Sequence, residues 1–217
     1  MSLLLYGIIA ENTLPNEPRL DARNVHLIHA EGLTAVTAQC EEAGQDMETV
    51  LAFGRVIESI HQNATIIPMR YGSLLPDEAT VIGHLTEKAS HYRQRLAELD
   101  GCDEMGIRLP LALPEPEATP VAKPKSGHAY LQSLKRKYSA TEQAEKEAAD
   151  LALALQGLFR KSCGEAGLFA NQPMYLISYL VPRTQLESFR AKVDELFQQG
   201  THKGIISGPW PPYNFAG

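Results

Sequence analysis

The sequence has little cysteine, no excess of positive charge and no hydrophobic run long enough to cross a membrane. Its three cysteines, Cys40, Cys102 and Cys163, are widely spaced, and an odd number without CxxC spacing is typical of neither a disulfide framework nor a zinc site. The formal net charge of −6 argues against nucleic acid as the main partner, because phosphate binding needs a basic surface. The N-terminal apolar run LLLYGIIA is too short for a membrane span and lacks the flanks of a signal peptide. These absences predict a reduced, cytosolic protein that binds neither nucleic acid nor membranes.

Motifs of catalytic and cofactor-binding sites are also missing. The chain contains no P-loop, no GxGxxG fingerprint and no GxSxG elbow. His84 and His91 are expected on one helix face with Lys88 between them, and a cation beside two imidazoles disfavours a metal ion. Cys163 is expected at a helix C-terminus, where the helix dipole opposes a thiolate. We therefore predict no catalytic residue, no cofactor and no metal site.

What is present is the pattern of a globular α+β protein, with 44% hydrophobic and 21% charged residues. Short strand patterns alternate with helical ones in each half of the chain. They predict two lobes, 1–101 and 102–217, each a small mixed or antiparallel sheet with helices on one face, related to the ferredoxin-like arrangement. A stretch with five prolines predicts an exposed loop at 110–127 in the second lobe.

Three long helices are predicted from the spacing of apolar residues. The first starts after Asp46, and its apolar face contains Met47, Val50, Leu51, Gly54, Ile57 and His61. The second is capped by Asp77 and continues to Leu99. The longest covers about 128–162 in the second lobe. Residues 3–10 predict a strand that is buried on both faces.

The segment IIPMRYG, residues 66–72, is the best local candidate for a role beyond packing. Pro68 is expected to mark the edge or end of a strand, so Arg70 should emerge at a sheet edge just before Tyr71 and Gly72. Its guanidinium would then either bind a carboxylate or a partner surface, or form an internal ion pair with a nearby Asp or Glu, which we favour.

The end of the chain, ISGPWPPYNFAG, combines three prolines with three aromatic residues. Prolines remove backbone donors and fix φ, so this segment can neither continue a central strand nor enter a helix. We expect it to fold back and bury its aromatic rings; the alternative is a PxxP recognition element. The candidate structural or interface residues are Gly208, Pro209, Trp210, Pro211, Pro212 and Tyr213.

Four of these segments together resemble the gas vesicle protein F/L family. They are LLLYGII, IIPMRYGSLL, EMGIRL and GPWPPYNF, in the same order along nearly the whole chain. GPWPPYNF is the most distinctive, and YLISYLVPRTQLESFR favours the F branch. The proline-rich stretch at 110–127 matches no motif of the family, which leaves the lobe boundary open.

The resemblance implies a minor gas vesicle protein that is needed for assembly, with no enzymatic activity and no catalytic residues to transfer. The implied partners are the small, very hydrophobic major shell protein and other gas vesicle proteins, and the implied location is the gas vesicle within the cytoplasm. The long helix at 128–162 and the outer faces of the lobe sheets are the candidate contact surfaces. Two alternatives stay open: a small-molecule-binding α+β regulatory module and an enzyme of unrecognised type. A deep pocket that converges on Arg70, His61 or Tyr71 would favour either one.

Overall fold

The computed structural model describes residues 2–13, 25–41, 43–44, 46–111, 127–170, 172–200 and 202–217, with 127–130 and 132–138 described by their backbone alone. Apart from its two ends, the predicted proline-rich loop at 110–127 lies outside these residues. The chain groups into two compact units. Unit 1 contains residues 1–104 and 209–217, and unit 2 contains 105–208. The sequence assigned the closing residues to the second lobe, whereas they group here with the N-terminal unit.

Unit 1 is built on an antiparallel sheet. Its strands are β1 (Ser2–Ala10), β2 (Val25–Ala30), β3 (Leu33–Cys40), β4 (Ile66–Pro68) and β5 (Leu74–Leu75). Their order is β2-β3-β1-β4, and the short β5 also pairs with β1. The helices are α1 (Met47–Asn63), α2 (Glu78–Glu87) and α3 (Ala89–Leu99). The β2–β3 hairpin and the doubly buried β1 agree with the sequence patterns.

Helices cover both faces of this sheet, whereas the sequence predicts them on one face. Leu4 packs in a core cluster with Phe53 of α1, while its neighbour Leu5 lines a cavity with His84 and Tyr92 of α2 and α3. Successive side chains of a strand point to opposite faces, so α1 lies on one side and the α2–α3 pair on the other. A strand between two helical layers must be apolar throughout, as β1 is.

The second sheet has the order β7-β8-β6-β9. Its elements are β6 (Cys102–Pro110), α4 (Gly127–Ala154), β7 (Lys161–Phe169), β8 (Gln172–Pro182), α5 (Leu186–Gln198) and β9 (Ile205–Trp210). Alternate residues of β6 and β8 form one core with residues of α4 and α5, and this core contains the fully buried Tyr179 of β8 and Phe189 of α5. These two helices thus share one face of the sheet. The α+β class with two antiparallel sheets is confirmed.

Two predicted helices differ from the sequence expectation, since one ends earlier and the other is divided in two. The helix predicted over 128–162 ends at Ala154, and Gly157 adopts a left-handed φ of 87°, which favours glycine and stops the helix. Cys163 consequently lies exposed in β7 and not at a helix end. The helix after Asp77 is divided at Lys88, whose φ of −105° and ψ of 14° leave the α region.

Gly7 in β1 is required by close packing, which supplies a stability prediction. A β-carbon at this position would lie 2.5 Å from Ile66 Cδ1 and 2.8 Å from the carbonyl oxygen of Ile67. Displacing the backbone of β4 costs more free energy than rotating a side chain. Gly7→Ala should therefore lower the free energy of unfolding by about 1–3 kcal/mol. The measurement is urea unfolding followed by circular dichroism.

Gly54 is the matched control, because a β-carbon there meets nothing within 4 Å. It lies inside α1, so Gly54→Ala should stabilise the protein by about 0.5–1 kcal/mol through helix propensity. A Gly7→Ala protein as stable as the unmodified chain would contradict the close-approach explanation.

Candidate functional site

The segment predicted to carry Arg70 forms a tight turn between β4 and β5. The backbone N–H of Ser73 donates to the carbonyl of Arg70 at 3.2 Å, and the Ser73 hydroxyl donates to the same oxygen at 2.8 Å. Gly72 has a φ of 87°, which a residue with a β-carbon rarely adopts. Pro68 lies at the end of β4, as expected, and pairs with Gly7.

Arg70 is exposed on this turn and forms no salt bridge with the carboxylates of the described residues. Its guanidinium is therefore available to a partner as far as the described part of the chain is concerned. The internal pair that the sequence favours is not observed there.

Tyr71 faces inward and joins an aromatic cluster on α1. Its ring packs edge-on against Phe53 at 5.2 Å, and Phe53 stacks on Tyr6 at 4.8 Å. The Tyr71 hydroxyl donates to the carbonyl of Gly44 at 2.6 Å. The three rings line a cavity of about 310 Å³ together with Arg55 and other residues of α1. Burial raises the pKa of Tyr6 above its ordinary value, so its hydroxyl stays protonated at neutral pH.

That cavity meets part of what the small-molecule alternative predicts. Tyr71 lines it, whereas Arg70 and His61 do not. Its volume is at the lower limit of ligand pockets, and its walls are mainly aromatic and aliphatic. The ionisable groups among its described lining residues are Tyr6, Arg55 and Tyr71.

The closing segment contains two tight turns, and the buried carboxylate of Glu104 binds it to the rest of unit 1. Tyr213 N–H donates to the carbonyl of Pro211 at 2.8 Å across Pro212, whose φ of −78° and ψ of 63° define an inverse γ-turn. A short 3₁₀ helix, Tyr213–Phe215, follows. The Glu104 carboxylate accepts hydrogen bonds from the backbone N–H of Asn214 at 2.9 Å and from its Nδ2 at 2.6 Å.

The aromatic residues of this segment have different roles. Phe215 is buried with 7% exposure, and Pro211 and Pro212 are buried beside it. Trp210 keeps 49% of its surface exposed and Tyr213 keeps 40%. The expectation that the segment buries its aromatic rings holds for Phe215, whereas Trp210 and Tyr213 stay partly exposed. Phe215, with Pro211 and Pro212, is the buried anchor of the segment.

Gly208 and Pro209 explain how the chain enters this segment. Gly208 has a φ of 107°, and its carbonyl accepts a hydrogen bond from Arg190 Nη2. Pro209 lies in β9, the last strand in the sheet order, where a missing N–H is tolerated. The left-handed φ of Gly208 favours glycine at this point of the path, and Pro209 is compatible with it.

An exposed apolar surface follows α1 and continues towards the closing segment. Met47 is 72% exposed and Leu51 is 54% exposed, although the sequence assigned both to the core face. Gly54 and Glu58 follow at helical spacing, so they share this side of α1 with Leu51. The charge of Glu58, after burial as the larger cause, raises the pKa of Tyr213, which places Tyr213 near this side. We call Met47, Leu51, Gly54, Glu58 and Tyr213 the α1 surface.

A buried ionisable pair lies on the inner side of the same helix. His61 Nε2 and Asp103 Oδ1 are 2.7 Å apart, and each side chain is about nine-tenths buried. Sequence reasoning placed His61 on the apolar face of the helix but gave no indication of Asp103 as its partner. The two residues are far apart in the chain, so no local pattern could have paired them; the same applies to Glu104 and Asn214.

Two further properties concern ions and membranes. Within the described ranges, no three side chains of His, Cys, Asp or Glu lie close enough together to hold a metal ion. No helix formed by the described residues combines the length and the apolar character that a membrane span requires.

Comparisons of the sequence with a family model and with known proteins indicate the same family. A sequence model of the family described as "Gas vesicle synthesis protein GvpL/GvpF" matches residues 2–217. The chain is 27% identical to gas vesicle protein F of Streptomyces sp. over 241 residues, which cover 99% of both chains. It is 23% identical to gas vesicle protein F1 of Halobacterium salinarum over 222 residues, or 99% of this chain and 92% of the relative.

A solved structure agrees with the fold. The crystal structure of the gas vesicle protein GvpF from Anabaena sp. superimposes with a TM-score of 0.76 and 18% identity, covering 100% of this chain and 96% of that one. At this identity the likeness establishes the fold. The match over residues 2–217 establishes that the similarity noted for four short segments extends along the chain.

Proposed function

The chain belongs to the gas vesicle synthesis protein GvpL/GvpF family, which implies a role in gas vesicles, and we propose on that premise that it is a minor protein of vesicle assembly. It would bind the hydrophobic major shell protein before the wall forms and limit its aggregation. Its place of action is the gas vesicle within the cytoplasm, and its partners there are the shell protein and other gas vesicle proteins.

The observation that carries the proposal is the α1 surface. Large exposed apolar side chains next to one another are typical of sites where another polypeptide binds. Met47 and Leu51 lie one helical turn apart, so a partner helix could cover both at once. Burying a Met or Leu side chain completely is worth about 1.5–3 kcal/mol, so these two residues could supply much of a moderate affinity.

The chemistry of the partner explains why such a surface is useful. A shell protein that is mainly apolar associates with any other apolar surface or strand edge until its own face is covered. A folded helper offers a complementary surface of limited size, which binds one copy without promoting further growth. Methionine suits this task, because its flexible, polarisable side chain adapts to partners of different shape.

The test is binding of purified shell protein, with its aggregation followed by light scattering. The double variant Met47→Ser/Leu51→Ser should weaken binding at least about tenfold, equivalent to about 1.4 kcal/mol, and should lose the suppression of scattering. Both side chains are exposed in the free protein, so its thermal stability should change little.

Leu153→Ser in α4 is the matched control, because Leu153 is 72% exposed, the same fraction as Met47. Binding should not change in this variant. Loss of binding with Leu153→Ser alone would assign the contact to α4, the long helix that the sequence analysis also considered. Failure of the unmodified protein to bind shell protein, together with normal vesicles in a deletion strain, would overturn the assembly function itself.

A further inference from the structure

The cavity of about 310 Å³ beside α1 has walls from three elements of unit 1. On the sheet side, Leu4 and Tyr6 come from alternate positions of β1, so their side chains point to the same face. Tyr71 of the turn between β4 and β5 supplies a second wall. The third wall is one side of α1, whose lining residues recur at spacings of three and four: Thr49, Ala52, Phe53, Val56 and Ser59.

The three aromatic rings of this cavity are held by packing and by one hydrogen bond. Tyr6 keeps 8% of its surface exposed and Phe53 keeps 5%, and the two rings stack on one another. Tyr71 packs edge-on against Phe53, and its hydroxyl donates to the carbonyl of Gly44. A planar ring can therefore enter the cavity without the cost of ordering these side chains.

The Tyr6 hydroxyl is the feature that points to a ligand. More than nine-tenths of Tyr6 is buried, yet its hydroxyl forms no hydrogen bond with the residues that the structure describes, whereas that of Tyr71 has an acceptor. Hydroxyl groups removed from bulk water normally have a partner, because an unpaired one costs free energy. Burial, followed by the nearby Cys40 and Tyr71, raises the pKa of Tyr6, so the hydroxyl keeps its proton and can donate to an acceptor in the cavity.

The volume and the charges of the cavity limit the kind of ligand. A cavity of about 150 Å³ is enough for one benzene ring, so about 310 Å³ accommodates two fused rings. Among the described lining residues there is no carboxylate, and the only formal charge is that of Arg55, which is exposed. A cationic ligand would meet no counter-charge from these residues.

We propose that this cavity binds a small neutral molecule with two fused aromatic rings and one hydrogen-bond acceptor. The rings pack against Phe53 and Tyr71, and the acceptor receives a hydrogen bond from the Tyr6 hydroxyl. The apolar walls alone would admit any apolar molecule of this size; the hydroxyl selects molecules with an acceptor. Neither Met47 nor Leu51 lines the cavity, so the proposal does not depend on binding of the shell protein.

The experiment is titration of the full-length protein with 2-naphthol, followed by calorimetry and by NMR. Two matched probes are naphthalene, which lacks the acceptor, and phenol, which lacks the second ring. 2-Naphthol should bind at least about fivefold more tightly than either probe and should shift the methyl resonances of Leu4 and Val56. Naphthalene is the more apolar of the two bicyclic probes, so a preference for 2-naphthol cannot come from burial of apolar area alone.

Tyr6→Phe removes the hydroxyl and keeps the ring. It should weaken the binding of 2-naphthol about fivefold, the effect of one neutral hydrogen bond, and leave that of naphthalene unchanged. Tyr179→Phe is the matched control, because the Tyr179 hydroxyl is also buried and without a partner among the described residues, but it belongs to the core of unit 2. This variant should bind 2-naphthol with unchanged affinity.

Ala52→Leu tests the location of the site. Ala52 is exposed on α1 and lines the cavity, so a leucine there should fill the space and weaken binding of both bicyclic probes at least about tenfold. Circular dichroism can verify that the variants keep their fold. The proposal is overturned if 2-naphthol does not bind, if it binds no more tightly than naphthalene, or if Tyr6→Phe retains the full affinity. An equal loss of affinity in Tyr179→Phe would also overturn it, because it would separate the effect from this cavity.

Discussion

Replacing Phe215 with alanine is expected to lower the free energy of unfolding of unit 1 by about 3 kcal/mol, the lower end of the range for a buried phenylalanine. Phe215 keeps only 7% of its surface exposed, and it is the one aromatic side chain of the closing segment that is buried. The segment can relax after the ring is lost, which limits the cost to the free energy of docking the segment.

The physical reason is that the residues of PPYNF contribute to docking in different ways: some direct the backbone, and one buries apolar area. Pro212 fixes the inverse γ-turn, and Glu104 binds both the backbone and the side chain of Asn214. These contacts direct the chain but bury little apolar area. Phe215 supplies that area, so its removal should detach residues 211–217 from unit 1. The measurement is thermal or urea unfolding, with limited proteolysis to detect release of the segment.

Trp210 provides the control within the same segment. About half of the indole is in water, so Trp210→Ala should cost about 1 kcal/mol or less. Partner binding should respond in the opposite order if the exposed indole belongs to the shell-protein contact: Trp210→Ala would weaken it at nearly unchanged stability. A Trp210→Ala protein that is less stable than Phe215→Ala would contradict the assignment of the anchor.

The closing segment also shows what sequence can and cannot predict here. Three prolines in a short stretch predicted that this segment does not continue a central strand, and β9, the last strand in the sheet order, ends at Trp210. Which aromatic ring is buried depends on the surface that the segment meets, and Glu104, which binds Asn214, belongs to a distant part of the chain. The sequence of the segment alone therefore could not distinguish Phe215 from Trp210 and Tyr213.

The helices show the same limit. The period of α1 was recognised, but a period reports which residues share a face and not how wide the covered part is. Val56, Ile57 and Ile60 are buried, whereas Met47 and Leu51 on the flank are exposed. The candidate binding surface was therefore present in the pattern and assigned to the core. The break at Lys88 has no proline or glycine at that position to indicate it, so the division into α2 and α3 was not predicted.

The RYG turn was the more predictable part of the candidate site. Gly72 after a proline-terminated strand indicates a turn with a left-handed residue, and the structure has one. The packing of Tyr71 against Phe53 required the tertiary structure. Arg70 was expected to emerge at a sheet edge, and it is exposed on the turn between β4 and β5.

The His61–Asp103 pair carries the other large expected effect. Both side chains are about nine-tenths buried, and removing one member of such a pair takes away a hydrogen bond of the other inside the core. Asp103→Leu should therefore lower the free energy of unfolding by about 3–5 kcal/mol, and His61→Leu should have a similar effect. Both are measured by urea unfolding.

The double variant His61→Leu/Asp103→Leu should recover much of this loss, because two apolar side chains of similar size need no hydrogen bond. The coupling free energy from the four proteins should then reach about 2 kcal/mol or more. The exposed pair Lys192–Glu195, 2.9 Å apart, is the control and should give less than about 1 kcal/mol.

The outcome also bears on whether this pair takes part in chemistry. A histidine held by an aspartate is a familiar arrangement in catalytic sites, but there the imidazole must reach a substrate. Neither of the two cavities described above is lined by His61 or Asp103. Strong coupling in stability, with shell-protein binding retained in the double variant, would assign the pair to the specification of the unit 1 core. A coupling near zero, or a double variant no more stable than the weaker single one, would contradict that role.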